Sequence, residues 1–117
     1  LRRDTTPVSA AFRQGATPPL NIMVDDHDLT QATHICVTIE QKGGREFNFM
    51  KERITVNPAV EGGTLLSIHL TQEETLSMRP IKSELQVRWR DPDNEAYTTD
   101  TVMIDIGKAL YKEVLGA

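Results

Sequence analysis

Adjacent carboxylates in 70-LTQEETLSM-78, Glu73 and Glu74, are the first residues in this 117-residue chain whose types suggest chemistry. Two carboxyl groups can divide general-acid and general-base work, provided that a cleft holds a substrate between them. The run 25-DDHD-28 is the best metal candidate: Asp25, Asp26 and Asp28 offer oxygen ligands and His27 an imidazole. Four consecutive residues cannot all face one ion, the spacing is not that of an EF-hand, and no second cluster of matching ligands is evident. His34 and Cys36 share one face of a predicted strand, and with His27 or His69 they could hold zinc or form a Cys–His nucleophile pair. Nothing in the sequence orients those histidines, and a lone cysteine is commonly packed as a small hydrophobe.

Arg88-Trp89-Arg90 sets an aromatic residue between two cations. A nucleic-acid platform needs rings and cations on the same face, whereas strand alternation puts Trp89 opposite both arginines. The net charge of −4 also lacks the basic excess of a phosphate-binding module. Nucleic acid is therefore not an expected partner. No apolar run approaches the roughly 20 residues of a membrane helix, so no membrane partner is expected either. Cys36 is the single cysteine, which excludes an internal disulfide and suits a reducing compartment. No G-x-S-x-G, H-E-x-x-H, Walker loop or G-x-G-x-x-G occurs. The residues imply no catalytic set and no cofactor.

The elements that must position these residues read as β-strands. Period-2 alternation marks 20-LNIMV-24, 34-HICVTIEQ-41, 45-REFNFM-50, 52-ERITVN-57, 64-TLLSIHL-70, 83-SELQVRWR-90 and 96-AYTTDTVMIDI-106. Lys42-Gly43-Gly44 and 91-DPDNE-95 have turn chemistry. About seven short strands predict a mainly β domain, an antiparallel two-sheet sandwich that is Ig-like in architecture only, since the Cys…Trp…Cys pattern is absent. Trp89 is its expected centrepiece. Residues 1–14, punctuated by Pro7, read as an extended arm with at most one short strand, and residues 15–117 as one domain. Ile106, Leu110 and Val114, spaced by four, predict a short helix over 107–115.

In this frame Glu73 and Glu74 fall between a strand and Pro80. Thr71 with Glu74 three residues on fits the capping box T-x-x-E, in which each partner satisfies a backbone N–H of the other. The acidic pair then predicts a one-turn helix near 71–78, not an active site.

The order of these segments resembles a known family. The matching pieces are 13-RQGATPPLNIMV-24, 35-ICVTIEQKG-43, 70-LTQEETLSM-78, 85-LQVRWRDPDNE-95 and 102-VMIDIGKALYKEVL-115. They resemble small proteins from the tail-module gene clusters of phages and prophages of Firmicutes, which are similar to the N-terminal β-sandwich domain of the upper baseplate protein of lactococcal siphophages. L-T-Q-E-E-T-L followed by the Gln-Val-Arg strand is the most specific part. The chain departs from the family at its start, where Leu1 to Phe12 precede the basic–Gly–Thr-Pro opening.

The resemblance implies a non-enzymatic structural part of a tail tip or baseplate, made in the bacterial host cytoplasm and carried in the virion tail. Its implied partners are other tail proteins and further copies of itself. Contacts are expected from the arm (Arg2, Arg3, Pro7, Phe12) and from the C-terminal segment (Leu110, Tyr111, Val114). The rival expectation is a ligand- or carbohydrate-binding sandwich whose 25-DDHD-28 loop grips calcium or a sugar. A weaker third is a hydrolase using histidine and carboxylates.

Overall fold

Alternating hydrophobicity in the sequence becomes alternating burial in the structure. The computed structural model describes residues 11–17, 19–58 and 62–109. Its strands are β1 (Ala11–Arg13), β2 (Pro19–Val24), β3 (His34–Gln41), β4 (Arg45–Met50), β5 (Ile54–Pro58), β6 (Thr64–His69), β7 (Lys82–Arg90), β8 (Ala96–Thr98) and β9 (Val102–Gly107). One helix, α1 (Gln72–Ser77), lies between β6 and β7, and a single 3-10 turn at Lys51–Arg53 joins β4 to β5. No helix among the described residues is long and apolar enough to cross a membrane.

The strands form two sheets, β1-β9-β7-β3-β4 with β8 also paired to β7, and β2-β6-β5. Inward residues of both sheets make one core. Leu20, Ile22, Leu66 and Ile68 face it from the smaller sheet, and Ile35, Val37, Ile39, Leu85 and Val87 from the larger. Fully burying such a side chain contributes about 1.5–3 kcal/mol, so the shared core is what holds the sheets together. The protein is mainly β, an Ig-like two-sheet sandwich. Its sheets correspond to the B-E-D and G-F-C-C′ sets of an immunoglobulin domain, with β2, β6 and β5 as the first set and β9 with β8, β7, β3 and β4 as the second. Aliphatic side chains of β2 and β7 stand where antibody domains carry their inter-sheet disulfide.

Several expectations need correction. Among the described residues nine strands are present where about seven were expected. One addition is β1, which runs parallel to β9 with Phe12 opposite Ile106, so the larger sheet is not wholly antiparallel. The sandwich therefore begins before residue 15: Phe12 is a core residue at 8% exposure and Gln14 is buried too. The other addition comes from the last predicted strand, which breaks at 99–101. There Thr99 turns inward, its N–H donates to the Val87 carbonyl at 2.9 Å, and its Oγ1 accepts the Val87 N–H at 3.0 Å. The side chain thus takes over a ladder bond and separates β8 from β9.

The predicted helix over 107–115 does not start at its expected place, because Ile106 and Gly107 are strand residues paired to Phe12 and Arg13. Lys108 and Ala109 are not helical. Leu110, Tyr111 and Val114 lie outside the described residues, as do Arg2, Arg3 and Pro7.

Candidate functional site

The candidate chemistry of the sequence is divided between opposite ends of the sandwich. Strand β7 runs from the helix end, at Lys82, to the loop end, at Arg90, and β3 runs the other way beside it, with Glu40 opposite Glu84 and His34 opposite Arg90. Glu73 and Glu74 lie at the helix end; His27, Asp25, Asp26 and Asp28 lie in the β2–β3 loop at the other.

At the helix end the capping box is formed. Thr71 Oγ1 accepts the Glu74 N–H at 3.2 Å, and Glu74 Oε1 accepts the Thr71 N–H at 2.9 Å. Arg53 then grips the same carboxylate with both guanidinium nitrogens, at 2.7 and 2.8 Å, while its guanidinium lies 5.6 Å from the Phe49 ring. The Arg53 hydrogen bonds hold the Glu74 carboxyl below the usual carboxylate range, against a smaller opposing effect of burial. A carboxylate so engaged is a poor proton donor or acceptor at neutral pH.

Thr75, buried on the inner side of α1, ties the helix to the start of the chain. Its Oγ1 accepts the Gly15 N–H at 2.9 Å and donates to the Ala16 carbonyl at 2.9 Å. Gln14 donates from Nε2 to the Met78 carbonyl at 2.7 Å and accepts the Ala109 N–H on Oε1 at 3.1 Å. Gly15 has φ +81°, a backbone setting that favours glycine, and a Cβ there would stand 3.6 Å from Leu76. Gln41, the last residue of β3, completes this end. Its amide accepts the Arg79 N–H and donates to the Arg79 carbonyl and to Ser83 Oγ, at 3.0, 2.9 and 3.1 Å. Residues 14–16 and 75–78 are thus one hydrogen-bonded unit, made of residues 59 to 64 positions apart in sequence.

At the loop end Trp89 is buried at 6% exposure, but it closes the edge of the core and is not its centre. Tyr97 stacks on it at 5.4 Å between centroids, 18° from coplanar, and His27 meets Trp89 edge-on at 5.1 Å. Tyr97 is 41% exposed, one of the few large hydrophobic side chains open to solvent. Its hydroxyl donates to Asp91 Oδ2 at 3.1 Å, and that bond raises the phenol above its usual titration range. This aromatic ledge was missed in the sequence. Trp89 and Tyr97 face each other only because β7 and β8 pair in the register Trp89↔Tyr97, and His27 arrives from a third segment.

The β2–β3 loop is built by buried Thr64, whose hydroxyl donates to the His27 carbonyl at 2.6 Å and accepts the Leu29 N–H at 2.9 Å. Asp26 adopts φ +62°, and Asp28 Oδ1 accepts from both the N–H and the hydroxyl of Thr30. Asp28 is therefore a turn-forming residue. Among the described residues no three His, Cys, Asp or Glu side chains are grouped to hold a metal ion, Asp25, Asp26 and Asp28 included. His34 and Cys36 lie on the outer face of β3, with Cys36 Sγ near Thr38 Oγ1 at 3.5 Å and no histidine oriented toward it among the described residues.

No family model matches the chain, and no curated protein matches it. Among solved structures it is similar to one of murine CRIg, with 11% identity, a TM-score of 0.43, and coverage of 92% of this chain and 97% of that one.

Proposed function

We propose that the chain is a non-enzymatic structural component of a phage or phage-like tail tip or baseplate, docking to other tail proteins through its N-terminal segment and its sheet edges. The observation that carries this reading is the knot of Gln14, Gly15 and Ala16 with Thr75 and Met78. Two of the segments that match the tail proteins, one of them the most specific, are partners in space, which favours a shared fold-closing device over a chance likeness of separate pieces. The engagement of Glu74 by Arg53 and Thr71 supports the non-catalytic part of the reading. Strands β4 and β5 each close one side of a sheet among the described residues, and such edges offer N–H and C=O groups to a neighbouring strand. The test is immunogold labelling of particles purified from the host that carries the gene. Label at the tail end is expected; particles free of the chain would refute the reading.

A second reading, a ligand-binding sandwich, is favoured by one observation: exposed Tyr97 lying on Trp89 beside His27. In Ig-type domains the corresponding loops of this end carry recognition. A stacking ligand such as a sugar ring would use this ledge. Trp89 fluorescence reports on it, and glycan-array binding that vanishes in Tyr97→Ala would establish it.

A further inference from the structure

The outer face of the larger sheet carries its charge in an ordered way. Strand register sets the residues in cross-strand rows. Toward the helix end Glu46, Glu40 and Glu84 stand abreast on β4, β3 and β7. All are exposed, and like charges directly opposite one another destabilise a sheet. The next row is neutral: Asn48, Thr38 and Gln86, with Thr38 Oγ1 donating to Asn48 Oδ1 at 2.7 Å. Beyond it come Arg88, beside Cys36, and then Arg90, beside His34. Glu84 and Arg88 are thus separated by about 13 Å along β7, at ~3.3 Å per residue. Among the described residues none of the charged side chains Glu40, Glu46, Glu84, Arg88 and Arg90 forms an ion pair, whereas Lys82 at the acidic end is held by Asp105 at 3.0 Å. Met50 and Met103, at 49% and 53% exposure, open on the same face.

We propose that this face docks on the same face of a second copy, about a two-fold axis running across the strands near the Thr38–Gln86 row. Such an operation reverses strand direction while keeping β7 over β7. Arg88 of each copy then lies over the partner's Glu84, beside Glu40, with Arg90 over the partner's Lys82–Asp105 pair, and the reciprocal contacts form at the other end, as an isologous interface requires. An axis along the strands would set carboxylates on carboxylates, so the charge order selects the first arrangement. Sheets packed face to face lie about 10 Å apart, within the combined reach of arginine and glutamate side chains. The pairing covers Met50 and Met103 and relieves the glutamate row, a local conflict that the single chain leaves standing. It does not depend on a place in a tail.

The experiment is sedimentation equilibrium in low salt on the wild-type chain, on Arg88→Glu/Arg90→Glu, on Glu40→Lys/Glu84→Lys, and on an equimolar mixture of the two variants. Wild type is expected to dimerise and to weaken about tenfold or more when salt is raised severalfold past the point where the Debye length falls below ~10 Å. Each double variant is expected to lose at least about tenfold in dimer affinity, since like charges then face each other where opposite charges did. The mixture is expected to recover a heterodimer, a mainly negative face on a mainly positive one. Circular dichroism and melting curves show whether the variants keep the native fold. A wild-type chain monomeric at about 100 μM, above the range of even weak specific complexes, would overturn the proposal. So would variants that pair as tightly as wild type, or a mixture of folded variants that fails to associate.

Discussion

Arg53 and Glu74 form a two-pronged ion pair, at 2.7 and 2.8 Å, that clamps the turn after β4 to the first turn of α1. Because Thr71 donates to the same carboxylate, one side chain serves both a helix cap and a link between segments 21 residues apart. The carboxyl titrates below its ordinary value of 4.5 in the folded chain. A depressed carboxyl stabilises the fold above its unfolded pKa, and that contribution is lost as pH falls through the folded pKa. Wild type should therefore melt at a higher temperature than Glu74→Gln at pH 7, and the gap should close as pH drops below about 4.5. Melting curves across that range check it.

Removing the cap alone is a separate test. Thr71→Ala leaves the Arg53 pair in place but strips the Glu74 N–H of its partner. A loss of about 1 kcal/mol in urea denaturation is expected.

Gln41 should be less tolerant. It is 1% exposed and satisfies both backbone groups of Arg79 and the Ser83 hydroxyl. Gln41→Leu keeps the volume and strands these partners, for an expected cost of about 1–3 kcal/mol. The denaturation midpoint is the readout.

How far to trim the start of the chain follows from β1. Deleting residues 1–10 leaves every described contact of β1 in place. Deleting 1–12 removes Phe12 from the core and part of the parallel pairing with β9. Truncating a buried Phe costs about 3–5 kcal/mol, so this second deletion should visibly unfold the chain at lower temperature. A tail-docking role predicts that the shorter deletion alone already fails to enter particles.

At the loop end, Asp91→Asn should bring the Tyr97 phenol back toward its ordinary value of 10.0 by weakening the bond that raises it. An ultraviolet pH titration in which the higher of the tyrosine transitions does not move would contradict the geometry.

Much of this fold was legible because half-buried strands write their burial into period-2 alternation. Residues 34–41 and 83–90 read as they stand in the structure. The capping box was legible for a similar reason, since its partners are only three residues apart. Parallel pairing of β1 was not legible: three residues carry too little periodicity, and Phe12 is buried by a strand more than 90 positions away. Nor was the break at Thr99, where a hydroxyl replaces a ladder bond in a run that alternates like a continuous strand. The aromatic ledge escaped for the same reason as β1, because it depends on cross-strand register and not on spacing within one segment.

The parallel pairing of β1 with β9 has a mechanical consequence. The chain enters this pair at Ala11, beside Asp105, and leaves it at Gly107, beside Arg13, so the entry and exit points lie at opposite ends of the pair. Tension applied between them pulls β1 and β9 lengthwise past each other. The hydrogen bonds of the pair, with the Gln14 N–H to Gly107 carbonyl bond at its end, then share the load and must break together, not peel one at a time. A sandwich loaded in this way resists extension more than one whose terminal strands unzip.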